Sequence, residues 1–206
     1  MKKLFFTTAL CLLAFFGFSQ AKVELGLKGG LNLTNINTEE PGANFENATG
    51  YHGGLYLLVK AASFGVQPEI LYSTRGAKGD VTIAGVKEDF QQDFVYLDIP
   101  IMAKLYLPLG LNLQVGPQFG LLMSADGTTA DYDGDGDPDP ISKDTYKNAD
   151  ISAAFGAGWD APFGLRFMAR YIVGLNDIND FAGAQEAAKN RMFQVSLGYK
   201  LFKVGN

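Results

Sequence analysis

The densest chemistry in the chain is an acidic stretch between residues 125 and 149. Seven aspartates, Asp126, Asp131, Asp133, Asp135, Asp137, Asp139 and Asp144, stand there against Lys143 and Lys147, a local balance of 2 − 7 = −5. Within it, Asp131-x-Asp133-x-Asp135-Gly136 matches the first half of a calcium loop, in which carboxylates at alternate positions converge on one ion and glycine permits the sharp turn. The second half departs from that pattern. Position twelve, where a bidentate glutamate belongs, is Ser142, and Pro138 and Pro140 stiffen the path. Two readings follow: a weak Ca²⁺ site built on Asp131, Asp133 and Asp135 with Asp137 or Asp139, or a solvated loop whose Asp and Gly residues make turns. No other cofactor is expected.

Catalysis by acyl transfer or hydrolysis would usually want a histidine base beside a serine or an aspartate. The only histidine is His52, flanked by Tyr51 and by Gly50, Gly53 and Gly54. No Ser-His-Asp or metal-ligand spacing accompanies it. The expectation is a histidine at the rim of the fold that meets water or a loop carboxylate, in a protein that is not an enzyme.

The elements that position these residues are strands. Period two is clear from Val23 onward, with Val23, Leu25, Leu27, Leu31 and Leu33 alternating with Glu24, Gly26, Lys28, Gly30, Asn32 and Thr34. The same alternation recurs around Leu55, Ile70, Leu97, Val115, Phe155, Phe167 and Val195, giving eight segments near the 9 to 11 residues that a tilted membrane strand needs. The connections alternate long and short: residues 35–50, 61–63, 76–92, 108–110, 125–149, 160–162 and 176–190. An up-and-down barrel puts alternate connections at opposite ends, and outer-membrane barrels have short periplasmic turns and longer extracellular loops. The predicted fold class is all-β, an eight-stranded antiparallel up-and-down transmembrane β-barrel, with both termini periplasmic.

Alternation alone does not say which face is wet, because a lipocalin-like soluble barrel has the same period. Here one face is nearly pure Leu, Val, Ile, Phe and Ala, and the other is largely Gly, Ser, Asn and Gln with isolated charges, which favours lipid outside. Tyr51, Phe64, Tyr72, Tyr106, Phe119, Trp159, Phe163 and Tyr171 fall near strand ends, as interfacial girdles require. The inward parity carries Glu24, Lys28, Lys60, Glu69, Arg75, Asp98, Lys104, Arg166, Arg170 and Lys200. Eight strands leave an interior only wide enough for side chains, so these charges are expected to pair and plug it. A ligand-binding or small-solute transport barrel is the alternative. Pro68, Pro100 and Pro117 lie inside predicted strands, where each removes a ladder donor; bulges that shift the in/out phase are the expected repair.

The N-terminus reads as an export signal. Met1-Lys2-Lys3 is basic, Leu4 to Phe18 is apolar apart from Thr7 and Thr8, and Ser19-Gln20-Ala21 is a small-x-small cleavage pattern. The division is therefore a signal peptide over residues 1–21 and a single barrel domain over residues 22–206. The only cysteine, Cys11, falls within the signal, so the exported chain has none. After Ala21 no apolar stretch is long enough for a membrane helix. The formal charge is −5, and −7 without Lys2 and Lys3, which argues against nucleic acid as a partner.

Three segments carry a resemblance. Gly65-Val66-Gln67-Pro68-Glu69-Ile70-Leu71-Tyr72-Ser73, Tyr96-Leu97-Asp98-Ile99-Pro100-Ile101 and Gly116-Pro117-Gln118-Phe119-Gly120-Leu121-Leu122 together resemble the PorT-type outer-membrane β-barrel family common in the Bacteroidetes. That resemblance implies a barrel of OmpA-like or OmpX-like form in the cell outer membrane. It also implies lipid and the barrel-assembly machinery as partners, and, for some members, type IX secretion proteins. The role it implies is structural, surface-interacting or secretion-accessory.

Overall fold

The computed structural model describes residues 21–35, 43–46, 48–83, 86–128, 149–175 and 191–205. Residues 1–20 of the expected signal peptide and the aspartates from Asp131 to Asp139 of the expected calcium loop lie outside the described residues. Nine strands follow in chain order: β1 Lys22–Asn35, β2 Ala43–Glu46, β3 Ala48–Ala61, β4 Phe64–Ile83, β5 Val86–Tyr106, β6 Leu111–Thr128, β7 Ala149–Asp160, β8 Leu165–Gly174 and β9 Arg191–Val204. Eight of them close a ring in the order β1-β3-β4-β5-β6-β7-β8-β9, with β9 returning to β1 and every neighbour antiparallel. Closure leaves no sheet edge in the ring, which is the condition for strands to stand in lipid.

The pleat sorts side chains as the alternation predicts. Leu27, Leu31, Leu55, Ile70, Val115, Phe155 and Val195 face out and are exposed, whereas Lys28, Asn32, Gln67, Glu69, Gln114, Arg170 and Gln194 face in and are buried. A soluble carrier is therefore ruled out on physical grounds: this exterior would present water with a continuous apolar surface far larger than soluble proteins tolerate. The belt ends in aromatics. Tyr51 stacks on Tyr72 at 6.4 Å near the long-connection end, and Trp159 stacks on Phe167 at 5.8 Å near the short-turn end. Tyr106, expected among the girdle aromatics, instead points inward and is buried, its hydroxyl donating to Asp160 Oδ2 at 2.9 Å.

The prolines do not bulge. Pairing between β3 and β4 skips Leu57 and Leu58 opposite Pro68 and Gln67 but resumes in the same register, Tyr56 with Glu69 and Val59 with Val66. The same holds for the β4–β5 pair beside Pro100 and for the β5–β6 pair beside Pro117. A missing donor costs a rung without displacing the chain, so the in/out phase survives. The register shifts fall elsewhere, at Met123 between Val95↔Ser124 and Tyr96↔Leu122, and at Leu201 between Leu25↔Phe202 and Gly26↔Lys200.

A second difference concerns residues 76–92, expected as a loop. They continue β4 and β5 as a paired ribbon, from Gly76↔Asp93 to Ile83↔Val86, and β2 adds to its side through Ala43↔Val81 to Glu46↔Lys78. The outward apolar positions stop near Tyr72 and Leu97, so this ribbon projects past the belt. Eleven residue steps from Tyr72 to Ile83 at about 3.3 Å each amount to roughly 35 Å along the strand. At the opposite end the connections are tight. Pro108–Gly110 forms a single 3₁₀ turn with Leu109 at φ 63°, and Ala62, at φ 51°, turns β3 into β4.

Candidate functional site

The inward charges and amides form a hydrogen-bonded column. Its centre is Glu69, which accepts from Lys28 Nζ at 3.0 Å, from Arg170 Nη1 at 2.9 Å and Nη2 at 2.5 Å, and from Gln67 Nε2 at 2.7 Å. Four donors on one carboxylate are what makes a buried charge tolerable, because each replaces a lost water. Arg170 Nε donates to Gln114, and Gln114 donates to Asn112, whose amide reaches Asp160 Oδ1 at 3.1 Å. Toward the short turns, Lys104 and Arg166 both reach Gln67 Oε1, Arg166 pairs with Glu24, and Lys104 lies 3.4 Å from Asp160.

Toward the long connections, Lys28 also donates to Gln194, and Gln194 to Asn32 Oδ1. Arg75 then forks, with Nη2 on Asp98 Oδ1 at 2.6 Å and Nη1 on Asp150 Oδ2 at 2.8 Å. Of the ten inward charges named from the sequence, Glu24, Lys28, Glu69, Arg75, Asp98, Lys104, Arg166 and Arg170 are buried in this lumen. Lys60 and Lys200 are half-buried at the short-turn end, with Lys60 Nζ 3.4 Å from the Tyr106 ring centroid.

Asp150 and Asp160 were absent from that set. Both sit on the inward parity of β7, in the series Asp150, Ser152, Ala154, Gly156, Gly158 and Asp160, and extending the predicted strand by one residue at each end would have found them. The small residues of that series make the column possible. A Cβ at Gly158 would stand 2.7 Å from Gln114 Nε2, and Gly156 lies opposite Arg170.

His52 is not a rim histidine. It is buried in the lumen wall, with Nδ1 2.9 Å from Asn32 Oδ1 and Nε2 2.9 Å from Ser196 Oγ. Asn32 Nδ2 donates to Ser73 Oγ and to the Thr74 carbonyl, which fixes Oδ1 as the acceptor. Nδ1 of His52 therefore carries the proton, and Nε2 accepts from the Ser196 hydroxyl. Gly30 lies between His52 and Ser196 across the sheet, and a Cβ there would meet the imidazole. In outline this is a nucleophile, a base and an orienting amide, a grouping the sequence spacing did not reveal. Ser196 is buried and faces the lumen, on the opposite side of the strand from the apolar belt.

Among the described residues no three His, Cys, Asp or Glu side chains come together as a metal site, and no helix is long and apolar enough to cross a membrane. Residues 18–180 match the family model described as outer membrane protein beta-barrel domain. The chain belongs to that outer-membrane barrel family. It is a small outer-membrane β-barrel, and its apolar belt is the surface that meets lipid. No curated protein matches it. Among solved structures, neisserial surface protein A is similar over 87% of this chain and 97% of its own, at 7% identity and TM-score 0.50. Ail, the attachment invasion locus protein of Yersinia pestis, in complex with the heparin analogue sucrose octasulfate, is 12% identical over 88% of this chain and 99% of its own, with TM-score 0.48. The translocator domain of the autotransporter NalP from Neisseria meningitidis is 11% identical over 95% of each chain, with TM-score 0.36.

Proposed function

We propose that this outer-membrane barrel is a non-catalytic, plugged anchor that displays an interaction surface at its long-connection end. The observation that carries this reading is the ribbon of β4 and β5, which continues in register from Gly76↔Asp93 to Ile83↔Val86 beyond the apolar belt. An anchor alone would end its strands at the membrane, as the 10-residue β8 does. A paired ribbon with β2 on its flank offers a preorganised surface, which lowers the ordering cost of binding another molecule. The short turns face the periplasm in this reading, and the ribbon faces the outside. Neisserial surface protein A is by its printed name a surface protein, which is in keeping with display but leaves the partner open.

The test begins with orientation. A cysteine introduced at Gly79 is expected to react with a membrane-impermeant maleimide on intact cells, and one at Leu109 is not; the reverse pattern defeats the proposal. A photo-crosslinker at Gly79 is then expected to capture an outside partner, and removal of residues 77–92, joining Gly76 to Asp93 through an Asn-Gly turn, is expected to leave a heat-modifiable barrel that no longer retains that partner. Crosslinks confined to the short-turn end, to a secretion component, would favour the secretion-accessory role over display.

A further inference from the structure

Of the seven buried side-chain polar atoms without a hydrogen-bond partner among the described residues, five belong to one group in the lumen, at Arg75, Asp98, Gln118 and Asp150. Asp98, on β5, and Asp150, on β7, flank Gly120 of β6 in register, and Arg75 bridges the two carboxylates from above. Arg75 engages one oxygen of each. The other two, Asp98 Oδ2 and Asp150 Oδ1, are buried without a hydrogen-bond partner among the described residues. Two residues along β6, the inward side chain of Gln118 is 1% exposed, and both its Oε1 and its Nε2 lack partners as well. Gln118 lies opposite Ser152, whose hydroxyl donates to Asp150 Oδ2, so the orphan amide stands beside the carboxylate pair. Gly120 lets the two aspartates approach each other, since a Cβ there would stand 3.0 Å from Asp98 Oδ1 and 3.4 Å from Asp150 Cβ.

The charge is also unbalanced. Among the described residues, one arginine against two aspartates leaves 1 − 2 = −1 in a buried interior, where a charge without a partner is costly. Three buried hard oxygen atoms on adjacent strands, without hydrogen-bond partners among the described residues and with one negative charge in excess, are the donor set of a cation. We propose that Asp98, Asp150 and Gln118 hold a small monovalent cation of the alkali class, bound through Asp98 Oδ2, Asp150 Oδ1 and Gln118 Oε1. A divalent ion would overshoot the local charge by one unit. Asp98 and Asp150 sit just below Leu97 and at the start of β7, near the long-connection end of the lumen, so the ion enters from that side. Bound there, it locks β5, β6 and β7 at the root of the projecting ribbon.

The experiment is urea unfolding of the full-length barrel, refolded in detergent, in NaCl, KCl, CaCl₂ or choline chloride at matched ionic strength. The wild type is expected to gain stability in Na⁺ or K⁺ along a saturating curve that choline and Ca²⁺ do not reproduce. Asp150→Asn and Gln118→Leu remove that dependence, and Gln118→Glu, by adding a ligand charge, lowers the half-saturating concentration by about tenfold. Crystals soaked in thallium(I) are expected to show an anomalous peak between Asp98, Asp150 and Gln118. Equal effects of Na⁺ and choline, a Na⁺ response that persists in Gln118→Leu, or stability that follows pH and ignores the cation would each overturn the proposal; the last would mean that a proton supplies the missing charge. Should Gln118→Leu fail to fold, Gln118→Glu and the thallium peak decide the matter alone.

Discussion

Glu69 and Arg170, 101 residues apart in sequence, meet in a two-pronged ion pair at the heart of the barrel, with Nη1 to Oε2 at 2.9 Å and Nη2 to Oε1 at 2.5 Å. Neither residue has any exposed side-chain surface. Because Glu69 also holds Lys28, the two partners are not equivalent. Glu69→Gln strands two buried cations and is expected to cost about 3–5 kcal/mol, whereas Arg170→Met leaves Glu69 with Lys28 and Gln67 and should cost less. Urea unfolding of the refolded barrel checks the order of the two variants, and a larger loss for Arg170→Met would contradict the central place given to Glu69.

Much of this barrel could be read from its sequence, and the reasons are local. Parity along a strand depends only on counting by two, so Glu24, Lys28, Glu69, Lys104, Arg166 and Arg170 could be assigned to the lumen without knowing their partners. The partners could not be read, because Glu69 and Arg170 are brought together by closure of the ring, a long-range event. Residues 76–80, Gly-Ala-Lys-Gly-Asp, have the composition of a loop, and only their pairing with 89–93 makes them strand. His52 was misplaced for a related reason. Its place near the outer end of a predicted strand suggested the rim, whereas Gly30, across the sheet, makes room for its ring inside the lumen wall.

The saturated column also sets what the barrel conducts. Glu69, Gln67, Lys104, Arg166 and Arg170 are buried and hold each other, so on the proposed plugged reading reconstitution into planar bilayers is expected to give no stable unitary conductance. Glu69→Ala with Arg170→Ala removes the two central side chains together and should introduce brief openings. Steady conductance from the wild type would mean that the column rearranges in lipid.

Ser196, His52 and Asn32 supply a prediction about chemistry. If the chain of hydrogen bonds serves the fold, Ser196 will not react with a fluorophosphonate in the folded protein. His52→Ala, which leaves the Asn32 and Ser196 groups short of a buried partner, should then cost about 1–3 kcal/mol of stability. Covalent labelling of Ser196, abolished by His52→Ala, would instead show a working nucleophile and reopen the question of an enzymatic role.

The lipid belt makes the last prediction, and it depends on depth. Val115 lies in the middle of the outward row of β6 and is 60% exposed, while Leu109, at the tip of the short turn, is 88% exposed. Exposure to water would rank Leu109 as the harsher place for a leucine or valine and both as harmless places for a charge. Exposure to hydrocarbon reverses that. Val115→Arg must carry a guanidinium into the apolar layer and is expected to cost about 2–4 kcal/mol, whereas Leu109→Arg, at the interface, should cost about 0–1 kcal/mol. Folding into lipid vesicles under a urea series measures both variants, and equal costs at the two sites would mean that the outward face of β6 is not the face that meets the membrane.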